Sequence, residues 1–358
     1  MPQNPTVLLT SPLNFVPFAR TPWGGTLIAD VKARGIGLDR ATLPSHVGES
    51  WEVSTDAQFP SRVASKDGKT LLEVLAADGR AILGESVARR YGSHCPLLLK
   101  WLHAAEVLSV QLHPENDNPL LAAGECGKPE SWLVLEARPG GYVYLGFAEG
   151  LTPEDCLCGL SGPDPASVLF RFEPRQGDLI SVPPGLVHAV GPGLLLAEPQ
   201  YVLPGLSGKT WRLSDWGRRY DANGARCESG TARELHLDAA QGAIDWTLPR
   251  GERAVAQLVR HLGESDEFRG DAFNPFATRV FTSPGAHRYD ALTDGGFSLV
   301  TCYAGSATLG ATVLRTGQSG LVPAHFPRVP LALTADDDGR CGVAFFALAP
   351  EVSDGVSQ

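Results

Sequence analysis

Leu108-Ser109-Val110-Gln111-Leu112-His113-Pro114 alternates apolar and polar side chains and then stops at a proline. The alternation has the period of a strand, and side chains two apart on a strand share a face. Gln111 and His113 are therefore directed to one point, with Leu112 turned to the opposite layer. Further along, Gly177-Asp178-Leu179-Ile180-Ser181-Val182-Pro183-Pro184-Gly185-Leu186-Val187-His188 reads as a strand, a Pro-Gly turn and a strand that starts on a histidine. Glu130 lies between these segments, just before a strand at 131–136, and an adjacent strand would carry its carboxylate to the same point. Two imidazoles, a carboxylate and an amide oxygen form a borderline nitrogen–oxygen set that suits Zn and, less selectively, Mn, Fe or Co. A neutral amide ligand leaves more net charge on the ion, which favours polarisation of a carbonyl or hydroxyl.

Outward from these segments, short strands dominate. Strand patterns recur at 51–54, 97–102, 142–145, 179–182 and 194–197, and Arg138-Pro139-Gly140-Gly141 reads as a hairpin turn. The 40 glycines and 28 prolines among 358 residues break helices and build turns, which excludes a helical bundle. Helical spacing is confined to a short insert near 67–92, split at Asp78-Gly79, and to a shorter stretch within 152–169. The polar, Gly-rich run 221–233 precedes a boundary placed near 245, dividing a domain with the metal-ligand pattern, 1–245, from a second β domain, 246–358. In that second part, Gly317 to Arg328 repeats the G-x5-P pattern of the His188 segment. His325 is off register there and Arg328 stands where the histidine is required, so this half reads as a copy without metal ligands. His46, His94, His103, His236, His261 and His287 have no comparable company and read as structural or surface residues.

Forty acidic against 30 basic residues give a formal charge of −10, which argues against nucleic acid or an anionic membrane as partner. An anionic substrate then needs a local positive site. Seven cysteines, Cys95, Cys126, Cys156, Cys158, Cys227, Cys302 and Cys341, show no CxxC pair and read as reduced thiols. Residues 1–12 lack the basic start and apolar run of a signal peptide, and no stretch approaches the ~18 apolar residues of a membrane span. A soluble, cytoplasmic chain acting as a monomer is expected.

The order of these motifs resembles the two metal-binding motifs of the cupin barrel, with Gln111 in place of the first histidine. Pro192 stands where the second motif usually ends in asparagine. The resemblance narrows further. Gln-x-His-Pro at 111–114 with Lys128-Pro129-Glu130 is similar to the type I phosphomannose isomerases. Trp23-Gly24-Gly25, Gly48-Glu49-Ser50-Trp51-Glu52-Val53-Ser54 and Trp211-Arg212-Leu213-Ser214-Asp215-Trp216-Gly217-Arg218 extend it. The resemblance implies a mainly β, cupin-type (jelly-roll) barrel with a helical insert and a degenerate cupin-like C-terminal β domain. It implies interconversion of mannose 6-phosphate and fructose 6-phosphate through an enediol(ate), with one zinc ion per chain on Gln111, His113, Glu130 and His188. Arg212, Lys128 and Glu198 take catalytic positions, and Trp23, Glu49, Lys100 and Ser109 substrate-binding ones. Other roles stand beside these: Lys100 and Lys128 as solvated lysines, Arg212 in a buried ion pair with Asp215, Glu198 as a structural carboxylate. The stretch from Glu198 to Arg212 is longer than the family's, and Pro204-Gly205 interrupt it. That departure keeps open an isomerase of another sugar phosphate. A non-catalytic sugar-phosphate-binding cupin and, less favoured, an iron-dependent cupin dioxygenase are the remaining alternatives.

Overall fold

The structure, a computed structural model, describes residues 6–293 and 295–349. The first five residues of the 1–12 stretch read for a targeting signal lie outside them. Among the described residues no helix is long and apolar enough to cross a membrane.

Strand Leu97–His103 shows how the chain sorts its side chains. Leu97, Leu99 and Trp101 enter the largest hydrophobic cluster, while Leu98, Lys100 and Leu102 line a cavity on the other face. This strand pairs with Leu194–Tyr201 and Glu49–Val53. Together with Glu130–Ala137, Asp178–Val182 and Val259–His261 they form a six-stranded site sheet. Leu194–Tyr201 lies in its interior and is buried along its whole length. A second, five-stranded sheet runs Trp211–Ser214, Val110–Leu112, His188–Val190, Val143–Phe147, Leu169–Phe172, and is called the ligand sheet below. Trp132, Val134, Ile180 and Val182 of the site sheet share one apolar cluster with Val143, Leu145 and Val190 of the ligand sheet, so the two face each other.

This arrangement corrects two expectations. Arg138-Pro139-Gly140-Gly141 is a turn, closed by Gly141 N–H donating to Arg138 C=O at 2.9 Å. Its flanking strands do not pair, because Glu130–Ala137 belongs to the site sheet and Val143–Phe147 to the ligand sheet. The turn is a corner between layers rather than a hairpin. For the same reason Glu130 approaches the Gln111 and His188 strands from the opposite sheet, not from an adjacent strand.

The insert at 67–92 holds helices Leu71–Leu83 and Glu85–Tyr91. Thr70 and Glu73 form a capping box at the start, and non-helical backbone at Asp78 kinks the first helix where Asp78-Gly79 marked a break. A second capping box, Thr152 with Asp155, starts the helix Pro153–Ser161. Helix Leu27–Ile36 was not legible in the sequence. Its inward face includes Lys32, which breaks the apolar periodicity, and the lysine is fully buried against Glu52 at 2.7 Å.

Beyond residue 262 the chain forms two further antiparallel sheets around their own core. The two halves exchange strands. Leu8–Leu9 pairs with Gln318–Val322 at one edge, and Val259–His261 pairs with Asp178–Val182 in the site sheet. Lys32 donates to Gly317 C=O and Ser319 Oγ donates to Glu52, so a buried polar network joins the halves as well.

Candidate active site

Backbone register sets the site. Gln111 is the cross-strand partner of His188 on one side and of Arg212 on the other. His113 lies just past the end of its strand, and its carbonyl accepts from Gly185 N–H at 2.8 Å. That bond ties the Pro-Gly turn to the first histidine while the turn delivers the second. Gly185 has φ +78°, and a Cβ there would meet Asp245 at 2.7 Å, so the position requires glycine twice over.

Both histidines are oriented by backbone. His113 Nδ1 donates to Lys209 C=O at 3.0 Å and His188 Nδ1 to Leu186 C=O at 2.9 Å. A carbonyl only accepts, so each Nδ1 carries the hydrogen and each Nε2 presents a lone pair. Burial holds both rings below the ordinary imidazole value, His188 to about 3 with the neighbouring His113 adding to the effect. His113 Nε2 faces Glu130 Oε1 at 3.1 Å and has no hydrogen-bond partner. Two acceptors thus meet at contact distance without a proton between them, an arrangement that a cation relieves. The ligand atoms of His113, Glu130 and His188 all lie within 4.8 Å of one another, and all three residues are buried. The cluster fits a metal ion. Gln111 presents its amide nitrogen to His188 Nε2 at 3.5 Å, while its Oε1 accepts from Ser109 Oγ at 3.0 Å. Turning the amide over would bring Oε1 to the cluster and leave Ser109 an N–H to accept, so the same contacts serve the ligand orientation.

Carboxylates and cations alternate around this cluster. Lys128 Nζ lies 2.9 Å from Glu130. Burial works against ionisation of Glu130, but His113 and Lys128 outweigh it and hold its carboxyl well below the usual range. Lys100 sits between Glu49 at 3.4 Å and Glu198 at 3.5 Å, over the Trp51 ring. Burial opposes its charge, yet Glu49 and Glu198 prevail and raise its pKa. Glu49 is lowered in turn, Lys100 and the Trp51 N–H overcoming burial. Glu198 goes the other way: burial, then Glu130, push it up to about 8. Lys100 and Lys128 are both buried, not solvated.

Arg212 makes no ion pair with Asp215. That carboxylate is held by Arg218 and Arg233, each at 2.5 Å. Arg212 donates instead to Glu234 C=O, its buried Nε has no partner, and burial followed by Arg233 lowers its pKa. Among the described residues it has no carboxylate within ion-pair distance.

A cavity of about 620 Å³ gathers these groups. Its lining includes Trp23, Glu49, Lys100 and Ser109, the expected substrate contacts, and Lys128, Glu198 and Arg212, the expected catalytic ones. Gln111 and Glu130 reach it too, while His113 and His188 lie buried behind the wall. His325 is far from the cluster in role: it bonds Ala81 C=O at the seam with the helical insert. Gln200, Arg20 and Arg233 also line the cavity and escaped the sequence reading. Gln200 carried a usable signal, since it stands two after Glu198 on one strand and so shares its face. Arg20 and Arg233 carried none, because only the tertiary fold brings them to the cavity.

Comparison with known proteins gives one consistent result. Residues 18–128 match the catalytic domain of type I phosphomannose isomerase. A mannose-6-phosphate isomerase of Streptococcus mutans is 32% identical over 218 residues, and the match spans 60% of this chain and 62% of that protein. A putative mannose-6-phosphate isomerase of Bacillus subtilis, YvyI, is 31% identical over 338 residues, 88% of this chain and 94% of that one. The crystal structure of a mannose 6-phosphate isomerase from Bacillus subtilis superposes with a TM-score of 0.73 at 24% identity, covering 97% of this chain and 100% of that one.

Proposed function

The chain belongs to the type I phosphomannose isomerase family, and from that premise we propose that it interconverts mannose 6-phosphate and fructose 6-phosphate. The metal is read as one zinc ion per chain on Gln111, His113, Glu130 and His188. When bound, it supplies Lewis-acid polarisation of a sugar oxygen. The chain's own groups supply the rest. Isomerisation moves a proton between C1 and C2 and leaves an enediol(ate) between the two transfers, so it needs a group that both takes and returns a proton. Glu198, pushed up to about 8, exchanges a proton near neutral pH and is read as that group. Arg212, beside Gln111 and free of a carboxylate, is read as the donor toward the oxygen on which negative charge grows. Lys128 restrains Glu130 and adds positive field, and Trp23, Glu49, Lys100 and Ser109 are read as substrate contacts.

One observation carries this reading: the register that puts Gln111 between His188 and Arg212, so that ligand, ligand and electrophile occupy three neighbouring strands. Zinc-loaded protein should interconvert the two sugar phosphates in a coupled assay, and chelation should abolish it. Failure to turn over, or turnover that survives chelation, removes the proposal.

The longer Glu198–Arg212 stretch supports a second reading. Leu203 to Gly208 line the cavity, so the segment that departs from the family lies where substrate is selected. A clear preference for another sugar phosphate in a substrate panel would favour it. We further read the facing sheets of residues 1–245 as a cupin-type barrel and residues 246–358 as its degenerate counterpart, in a monomer working in the cytoplasm.

A further inference from the structure

Two carboxyl groups with different tasks lie side by side in the cavity wall, and a single amide separates them. Gln200 is the cross-strand partner of Glu130 and stands two residues after Glu198 on the same strand. Its Nε2 donates to Glu130 Oε1 at 2.5 Å and to Glu198 Oε2 at 2.9 Å. We propose that Gln200 is a positioning residue that couples the metal ligand Glu130 to Glu198, one amide nitrogen holding both carboxyls in place. The inference deepens the reading above and rests on it for the role of Glu198.

One amide oxygen is left over. Gln200 is 1% exposed, and its Oε1 is buried without any hydrogen-bond partner. An unsatisfied buried acceptor is costly. Turning the amide over would not cure it, because Oε1 would then face the ionised Glu130 carboxylate and both N–H groups would be stranded where Oε1 now has no partner. The amide is therefore fixed by the carboxyls, and both its hydrogens are committed to them. The other donors divide between the two sides: Lys128 reaches Glu130, while Trp132 Nε1 and Lys100 reach Glu198. Among the described residues, Gln200 alone hydrogen-bonds both. A group that hydrogen-bonds a metal-ligating carboxylate orients it, and losing such a group typically costs about 10- to 100-fold in metal affinity or activity.

Gln200→Met, similar in length but unable to donate, tests this in the full-length protein. Zinc affinity, read by competition with a chromophoric chelator, should fall about tenfold or more. At zinc saturation kcat on mannose 6-phosphate should fall by about the same factor while KM stays within about threefold, since the amide hydrogens are spent on the two carboxyls rather than turned toward the cavity. A purely structural glutamine would move neither quantity in protein that remains folded. A loss of zinc affinity below about threefold overturns the coupling, and so does an unchanged kcat at saturation. Should Gln200→Met fail to fold, Gln200→Asn, which keeps the amide but shortens its reach, is measured and read in the same way. The zinc measurement uses no substrate, so it stands whether or not the wild-type protein isomerises mannose 6-phosphate.

Discussion

A carboxyl pushed up to about 8 makes stability depend on pH. Glu198 binds its proton more tightly in the folded chain than in the unfolded one. Its contribution is therefore fully present below the ordinary carboxyl value of 4.5 and is lost as pH rises through about 8. Melting curves of metal-free protein should show wild type losing ground to Glu198→Gln across that window. His113→Ala should lose metal and turnover together, as metal analysis and the isomerase assay will show. Arg212→Ala should keep its metal and lose mainly kcat, by about 10²-fold or more if the guanidinium meets developing charge. Among single residues, the grouping of His113, Glu130 and His188 was the most legible part of the sequence, because a strand period fixes which side chains share a face. Gln200, Arg20 and Arg233 were not legible, since amides and arginines are common and only their partners give them meaning.

Strands and turns decide how those residues meet. The Pro183–Gly185 turn holds His113 through a backbone bond and starts the strand of His188, and Gly185 admits no Cβ beside Asp245. Gly185→Ala should therefore reduce zinc affinity at least severalfold, measured by chelator competition, while the fold persists. The parallel pair Ser207–Gly208 with Glu125–Cys126 presses the long loop onto the site, and a Cβ at Gly208 would meet Lys128 Cδ at 2.9 Å. Period and turn chemistry disclosed most strands and the kinked insert. They did not disclose which sheet each strand joins: Arg138-Pro139-Gly140-Gly141 has the composition of a hairpin yet turns a corner, and nothing local distinguishes the two. Helix Leu27–Ile36 was hidden because Lys32, a charged residue, faces inward toward Glu52.

The molecule as a whole carries a charge of −10, against which the cavity sets Lys100, Lys128 and Arg212. Its halves meet through Lys32, Glu52, Gly317 and Ser319, with Lys32 also over the Trp101 ring at 4.9 Å. Lys32→Met strands Glu52 in the interior and should cost about 3–5 kcal/mol, seen as a lower denaturation midpoint, with Glu52→Gln in the same chain recovering part of it. The boundary expected near 245 rests on a change in composition, and composition does not report which strands cross it.

Leu8–Leu9 closes against Gln318–Val322. During synthesis this strand emerges from the ribosome long before its partner exists, and closure of a very long loop must precede its pairing. The edge of the C-terminal sheet is thus finished by Leu8 and Leu9. Nascent chains arrested before residue 318 should leave Leu8 and Leu9 open to protease, and chains released beyond residue 322 should protect them.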